Sequence, residues 1–307
     1  MATRSRSQAF LLALSNQAPR AWFNRLHAFM MLVGFKVSKI DVSFFHYLQD
    51  STFIYVLVYV DDILVMGSDQ NLVSTLLAKL STEFKIKELG EPGFFLGIET
   101  VKCGDGILLS QQRYMTDILK RAGMTDCKSL ATSISVSKPT IFDADLYDDA
   151  TQYRSLAGAL QYLTGTITYG LRIRKSVSRE LHAFSDSDWA GYPEDHLYDD
   201  PTHYRSLAGA LQHLTITRPD LTFAVIQLYR KSTSGFAVFL GTNLISWVYK
   251  KQRAVARSST KAKYKALVDV CAEVLWIISL LHEIKVPGTD LEIFVNESER
   301  LKTNEIF

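Results

Sequence analysis

The sequence predicts an α+β fold, and three observations carry that prediction. An apolar run from Phe53 to Met66 is broken only by Asp61-Asp62, which reads as two buried strands joined by a tight acidic turn. The segments flanking the run carry apolar residues at helical spacing. Further along, strand-like stretches near Leu181–Asp186, Gly235–Leu240 and Asn243–Val248 precede one long amphipathic stretch. Strands and helices grouped in this way suit an α+β architecture.

Each element has a local cause. Pro19 opens a helix in which Trp22, Leu26, Phe29, Met30 and Val33 share one face, and Gly34 stops it. Ser68-Asp69 caps a helix after the acidic turn, with Leu72, Val73, Leu76, Leu77 and Leu80 on its buried side. Ser110 is expected to cap the next helix, which turns Tyr114, Ile118 and Leu119 inward and ends at Gly123. Ser258 or Ser259 starts the long helix, which runs to about Glu283 with Leu267, Val270, Val274, Leu275, Ile278 and Leu281 inward. A last strand is expected near Glu292–Asn296.

A duplication interrupts this order. Leu146 to Thr164 recurs as Leu197 to Thr215 with a shift of 51, differing only at Ala150/Pro201, Gln152/His203 and Tyr162/His213. A solenoid would show several copies at a steady period. Two copies with unrelated sequence between them mark a duplicated segment instead. The second copy has its own apolar face of Tyr204, Leu207, Leu211 and Leu214, which must find a partner or stay exposed.

Composition sets the class. At 307 residues, 47% hydrophobic and 21% charged, the chain can bury a sizeable core in about two domains. A net charge of +2 says little about nucleic acid. Cys103, Cys127 and Cys271 have no metal-ligand spacing and suit a reducing compartment. No apolar run reaches ~18 residues, so no membrane span is expected. The start, with Ala9-Phe10-Leu11-Leu12-Ala13-Leu14, imitates a signal peptide only faintly. The expectation is an intracellular protein, cytoplasmic or nuclear, that is not secreted.

The chemistry lies at Tyr59-Val60-Asp61-Asp62. Two adjacent carboxylates repel each other, and burial penalises both. A divalent cation removes both costs, and Mg²⁺ prefers one or two carboxylates together with substrate phosphates. Asp is also an ordinary turn residue. The apolar strands on both sides favour the metal reading over the plain turn.

Tyr59-Val60-Asp61-Asp62-Ile63-Leu64 resembles the metal-binding turn of copia-type retrotransposon reverse transcriptases. Gln17-Ala18-Pro19-Arg20-Ala21-Trp22, Phe95-Leu96-Gly97-Ile98-Glu99, Leu109-Ser110-Gln111 through Gly123-Met124, and Ser185-Asp186-Ser187-Asp188-Trp189-Ala190-Gly191 resemble further segments of that family in the same order. Ser232-Thr233-Ser234-Gly235 and Val255-Ala256-Arg257-Ser258-Ser259 continue the last of them. The resemblance implies a partial reverse-transcriptase palm over 16–100, a thumb-like segment over 101–145, a first connection helix over 146–164 and an incomplete RNase H-like domain over 165–307. Residues 1–15 form a leader outside the resemblance. The duplicated connection segment, 196–229, falls within what would be a hairpin of the RNase H-like domain.

The resemblance implies Mg²⁺ or Mn²⁺ at Asp61, Asp62 and Asp186, and an RNA/DNA template-primer or RNA–DNA hybrid as partner. It also implies that Gln17, Arg20 and Tyr59 face nucleic acid. Lys250, Lys251, Arg253 and Arg257 open a basic run through Lys261, Lys263 and Lys265 that reads either as a nucleic-acid patch or as a solvated basic face. Several features depart from the family. The carboxylate that should partner Asp61 and Asp62 belongs to a strand upstream of Gln17, and neither Asp41 nor Asp50 stands in its context. Lys263 stands where a metal-binding glutamate is expected, and Asn296 where an aspartate is. The expectation is therefore a degenerate fragment of an RNA-directed DNA polymerase with RNase H, catalytically inactive and retaining nucleic-acid binding. The alternatives are polymerase activity completed by a carboxylate from another chain, and a purely non-catalytic nucleic-acid-binding protein.

Overall fold

The computed structural model describes residues 2–7, 18–60, 62–84, 86–132, 150–188, 201–227, 233–251, 258–286 and 295–296. It mixes helices and sheets and divides into two compact units, Met1–Gly93 with Trp276–Pro287, and Phe94–Leu275 with Gly288–Phe307.

The first unit is built on β1 (Ala2–Ser7), α1 (Ala18–Leu32), β2 (Lys36–Val37), β3 (Phe44–Gln49), β4 (Thr52–Tyr59), β5 (Asp62–Gly67), α2 (Gln70–Phe84) and β6 (Ile86–Gly90). The strands form one antiparallel sheet in the order β2-β3-β4-β5-β1-β6. Alternation along β4 and β5 decides its faces. Ile54, Val56, Val58, Ile63 and Val65 are buried on one face and share a core with Leu26 and Met30 of α1 and Val73, Leu76, Leu77, Leu80 and Phe84 of α2. Tyr59 and Asp62 pair on the opposite face. Asp69 caps α2 as expected, its Oδ1 accepting from the Asn71 amide at 2.7 Å. Leu72, expected inward on α2, is exposed.

The segment Trp276–Pro287 belongs to this unit. The Glu283 carboxylate accepts from the Ser38 hydroxyl at 2.7 Å and the Lys39 amide at 3.0 Å, and the Tyr55 hydroxyl donates to the Ile284 carbonyl at 2.9 Å.

The second unit carries β7 (Phe94–Phe95), β8 (Ile98–Cys103), β9 (Gly106–Ser110), α3 (Gln112–Arg121), α4 (Ala150–Gly165), β10 (Leu171–Arg174), β11 (Leu181–Asp188), α5 (Pro201–Leu214), α6 (Thr222–Gln227), β12 (Thr233–Leu240) and β13 (Asn243–Lys251). It also carries most of α7 (Ser259–Glu283), and β14 (Val295–Asn296). One sheet runs β10-β9-β8-β7 and the other β13-β12-β11-β14, with β14 parallel to β11 and the remaining pairs antiparallel. Strand β10 escapes the sequence analysis. It packs so closely on β9 that a Cβ on Gly106 would clash with the Ile173 carbonyl oxygen. The Asn243 side chain joins the two sheets, accepting from the Arg174 amide at 2.7 Å and donating to the Arg174 carbonyl at 2.9 Å.

Two expectations of the sequence are corrected by the structure. Ser110 ends β9 and does not cap α3; the Glu99 carboxylate meets the first-turn amide of Arg113 at 3.2 Å instead. Leu275 is 62% exposed, because the buried stripe of α7 runs through Ala262, Ala266, Val270, Val274 and Ile277. Of the two outcomes open to the duplicated helix, a partner or exposure, it finds a partner. Leu207, Leu211 and Leu214 of α5 enter one core with Leu156, Leu160 and Leu163 of α4, Met115, Ile118 and Leu119 of α3, and Ala224 and Val225 of α6.

Candidate functional site

The acidic turn closes the hairpin of β4 and β5. Tyr59 and Asp62 form the last pair of the ladder, and Val60 follows β4 directly into the turn. The tight turns favoured in hairpins need a positive φ at their first central residue. Val60 supplies it, at φ 53°. A β-branched residue in that region is strained and is tolerated where the surroundings over-determine it. The turn presents Tyr59 and Val60 to solvent, 53% and 52% exposed, while Asp62 is only 6% exposed. Asp61 lies outside the described residues.

The neighbours of Asp62 follow from the register. Tyr59 is opposite it on β4, Arg6 is opposite it on β1, and Lys87 is opposite Arg6 on β6. One row across the sheet therefore reads Tyr59, Asp62, Arg6, Lys87. A two-metal clamp draws carboxylates from separate strands. The strand beside β5 is Ala-Thr-Arg-Ser-Arg-Ser and brings none. Asp50 sits in the turn at the far end of β4, roughly 25 Å away at about 3.4 Å per residue. Asp41 is at the nearer end but beyond β4, and its Oδ1 accepts from the Ser43 amide at 2.9 Å and the Ser43 hydroxyl at 2.6 Å. Among the described residues no group of three or more His, Cys, Asp or Glu could hold a metal ion. Among the described residues, the register neighbours of Asp62 include no second carboxylate.

The remaining sequence-derived residues are dispersed. Arg20 is exposed in the first turn of α1, and Gln17 lies outside the described residues. Asp186 is on β11 opposite Gly235, and Asn296 on β14 is opposite Phe184, two positions before Asp186. Lys263 is exposed on α7. Lys250 and Lys251 end β13, opposite Ser234 and Thr233. Arg253 and Arg257 lie outside the described residues, as do the side chains of Asp186, Lys250, Lys251 and Asn296.

A buried polar cluster in the second unit leaves little trace in the sequence. Arg218 is fully buried and grips Asp220 in a forked pair, Nε to Oδ1 at 2.9 Å and Nη2 to Oδ2 at 2.6 Å. Tyr162 and Tyr169 each have the Arg218 guanidinium 5.6 Å from the ring centroid. Burial pushes the Tyr162 phenol up to about 12, and the Asp220 carboxylate beside it adds to the rise. Nearby, buried Gln111 accepts from the Thr217 hydroxyl at 2.8 Å and pairs with His213 Nδ1 at 3.0 Å. The only signal in the sequence is Arg218-Pro219-Asp220, whose spacing lets the carboxylate return to the guanidinium across a single 3₁₀ turn.

Comparison with known proteins defines the class first. Residues 11–136, which include the acidic turn, match the family model described as reverse transcriptase (RNA-dependent DNA polymerase). That stretch begins inside the segment 1–15 that the motifs leave unassigned. A Retrovirus-related Pol polyprotein from transposon RE2 of Arabidopsis thaliana is 34% identical over 307 residues, which is 88% of this chain and 19% of the polyprotein. The corresponding polyprotein from transposon TNT 1-94 of Nicotiana tabacum is 28% identical over 93% of this chain and 22% of its own length. An uncharacterized mitochondrial protein of Arabidopsis thaliana is 34% identical over 72% of this chain and 93% of its own length. The chain belongs to the copia-type retrotransposon Pol family, as a reverse transcriptase-like fragment. It spans about a fifth of the length of the transposon polyproteins it matches. No solved structure matches it. Reverse transcriptases commonly use divalent metals. No helix among the described residues is long and apolar enough to cross a membrane.

Proposed function

We propose that this chain is a degenerate polymerase–RNase H fragment that binds nucleic acid and catalyses neither DNA synthesis nor RNA-strand hydrolysis. In this reading the first unit is the remnant of the palm, the helices around α3 derive from the thumb and connection, and the sheet of β11 to β14 with α7 is an RNase H-like remnant. The observation that carries it is the placement of Arg6, not a carboxylate, opposite Asp62. Phosphoryl transfer by two metals needs anionic ligands on both sides of the cations. Lys263 and Asn296 support the same reading for the second site, with a cation and a neutral amide where the family resemblance implies acids.

Activity completed by another chain would need the place beside β5, which β1 already fills. The test is primer extension on an RNA template with Mg²⁺ and then Mn²⁺, alongside fluorescence anisotropy of a labelled RNA–DNA hybrid. Binding without extension is expected. Extension that disappears in Asp62→Asn would overturn the inactive assignment.

A further inference from the structure

We infer that Tyr162 and Gly165 address the first copy of the duplicated helix, α4, to its seat, and that His213 and Ile216 bar α5 of a second molecule of this chain from taking that seat.

The hazard follows from the duplication. Residues 153–161 and 204–212 are identical, so α4 and α5 offer the same apolar face. Leu156, Ala159, Leu160 and Leu163 of α4 lie in one core with their counterparts Leu207, Ala210, Leu211 and Leu214 of α5. The last turns close alike: the Thr164 hydroxyl donates to the Gln161 carbonyl at 2.7 Å, and the Thr215 hydroxyl to the Gln212 carbonyl at 2.7 Å. Exchanging an identical element between molecules is a low-cost route to dimers. Only positions at which the copies differ can keep each helix in its own seat.

Two such positions meet unlike surroundings. At the first, Tyr162 lies under the Arg218 guanidinium, with Cζ 5.6 Å from the ring centroid. An aromatic face attracts that cation, whereas a histidine there brings a group that can itself carry positive charge. The corresponding His213 of α5 pairs through Nδ1 with buried Gln111 at 3.0 Å and sets its ring edge-on to Tyr114, 5.1 Å between centroids. At the second position, Gly165 ends α4 against Ser129. A Cβ at Gly165 would stand 2.8 Å from the Ser129 Cβ. The Leu130 amide holds this stretch against the helix by donating to the Gln161 carbonyl at 3.3 Å. The corresponding Ile216 follows α5 and is 44% exposed. In the seat of α4 its branched side chain would collide with Ser129.

Cys127 reports which helix holds the seat, because its Sγ is 3.8 Å from the Thr164 hydroxyl oxygen. In the full chain, Thr164→Cys should form a disulfide with Cys127 under mild oxidation, within one molecule. Thr215→Cys alone should not. Thr215→Cys combined with His213→Tyr and Ile216→Gly should link position 215 to Cys127 of a second molecule. The product is a dimer on a non-reducing gel, and its bridged peptides identify the two positions. The reverse change tests the address while leaving α5 as it is. Gly165→Ile should slow the link between Cys127 and Thr164→Cys by about tenfold. Ser129→Gly should then restore the rate by removing the collision, a rescue that general loss of packing would not show. Near-ultraviolet circular dichroism checks that each variant folds, and the Gly165→Ile series decides the matter if the triple variant does not. A link through position 215 with His213 and Ile216 in place overturns the inference, as does a folded triple variant that forms none. So does slowing by Gly165→Ile that Ser129→Gly leaves unchanged.

Discussion

Arg218 and Asp220 form a buried forked ion pair with side-chain exposures of 0% and 4%, and the guanidinium has no donor left over. Nε and one Nη2 hydrogen go to Asp220, while Thr166 takes two more at its carbonyl (2.8 Å) and hydroxyl (2.7 Å). Met115 Sδ takes the fifth at 3.3 Å. A buried pair of this kind adds little net stability over apolar residues of the same volume, but removing one partner strands the other charge. Arg218→Ala should therefore cost about 3–5 kcal/mol in urea unfolding, and Asp220→Ala a similar amount. The double change Arg218→Met with Asp220→Leu should cost far less than the two singles combined. Additive costs in that cycle would show that the pair is not a coupled unit.

The two copies of the duplicated helix share four buried apolar positions. Leu156, Ala159, Leu160 and Leu163 of α4 correspond, at a shift of 51, to Leu207, Ala210, Leu211 and Leu214 of α5, and all eight lie in one core. The copies differ where their seats differ: Tyr162 lies against Arg218, and His213 against Gln111 and Tyr114. Leu160→Ala and Leu211→Ala should each cost about 2–5 kcal/mol. Deleting 196–229 should unfold the second unit, because it removes α5, Arg218 and α6 together. A deletion variant with native-like near-ultraviolet dichroism and resistance to limited proteolysis would show that the duplicated segment is dispensable.

His46 links the first unit to pH. It is 7% exposed, and its Nδ1 meets no hydrogen-bond partner among the described residues. Burial lowers the imidazole below 6.5; Glu283 opposes this, and Lys36 and Lys285 reinforce it. The folded state thus binds this proton less readily than the unfolded chain does. Stability should fall as pH drops below 6.5 and be fully present above it. Urea midpoints taken from pH 7.5 to 5.5 should decline for the native chain and decline less for His46→Gln. Parallel lines would assign the slope to other groups.

What the sequence disclosed tracks how far each element depends on its own residues. The hairpin of β4 and β5 and helices α1 and α2 declare themselves, because Ile54, Val56 and Val58 repeat every second residue and Val73, Leu76, Leu77 and Leu80 follow helical spacing. Strand β1 could not be read, since Arg4, Ser5 and Arg6 have no strand propensity and are held by partners on both sides. Leu275 misled because α7 is apolar on more than one side, and periodicity alone cannot choose the buried one. Of the candidate site, Asp62 and Tyr59 were legible as a motif. The opposition of Arg6 to Asp62 was not, because register joins residues 56 positions apart.

The proposed RNase H-like remnant gives the last expectation. Restoring acids at two positions, Lys263→Glu with Asn296→Asp, should not produce cleavage of an RNA–DNA hybrid. The register places Asn296 beside Phe184, two positions before Asp186, so strand geometry offers about 7 Å of offset between those residues along the sheet. A lysine at 263 adds repulsion toward any cation, but removing it does not supply the missing alignment. Gel assays with a 5′-labelled hybrid in Mg²⁺ and Mn²⁺ should show background cleavage for both the native chain and the double variant. Cleavage by the double variant that vanishes on adding Asp186→Asn would mean that these three residues can converge on a metal, and that substitution at Lys263 and Asn296, rather than strand register, silenced the site.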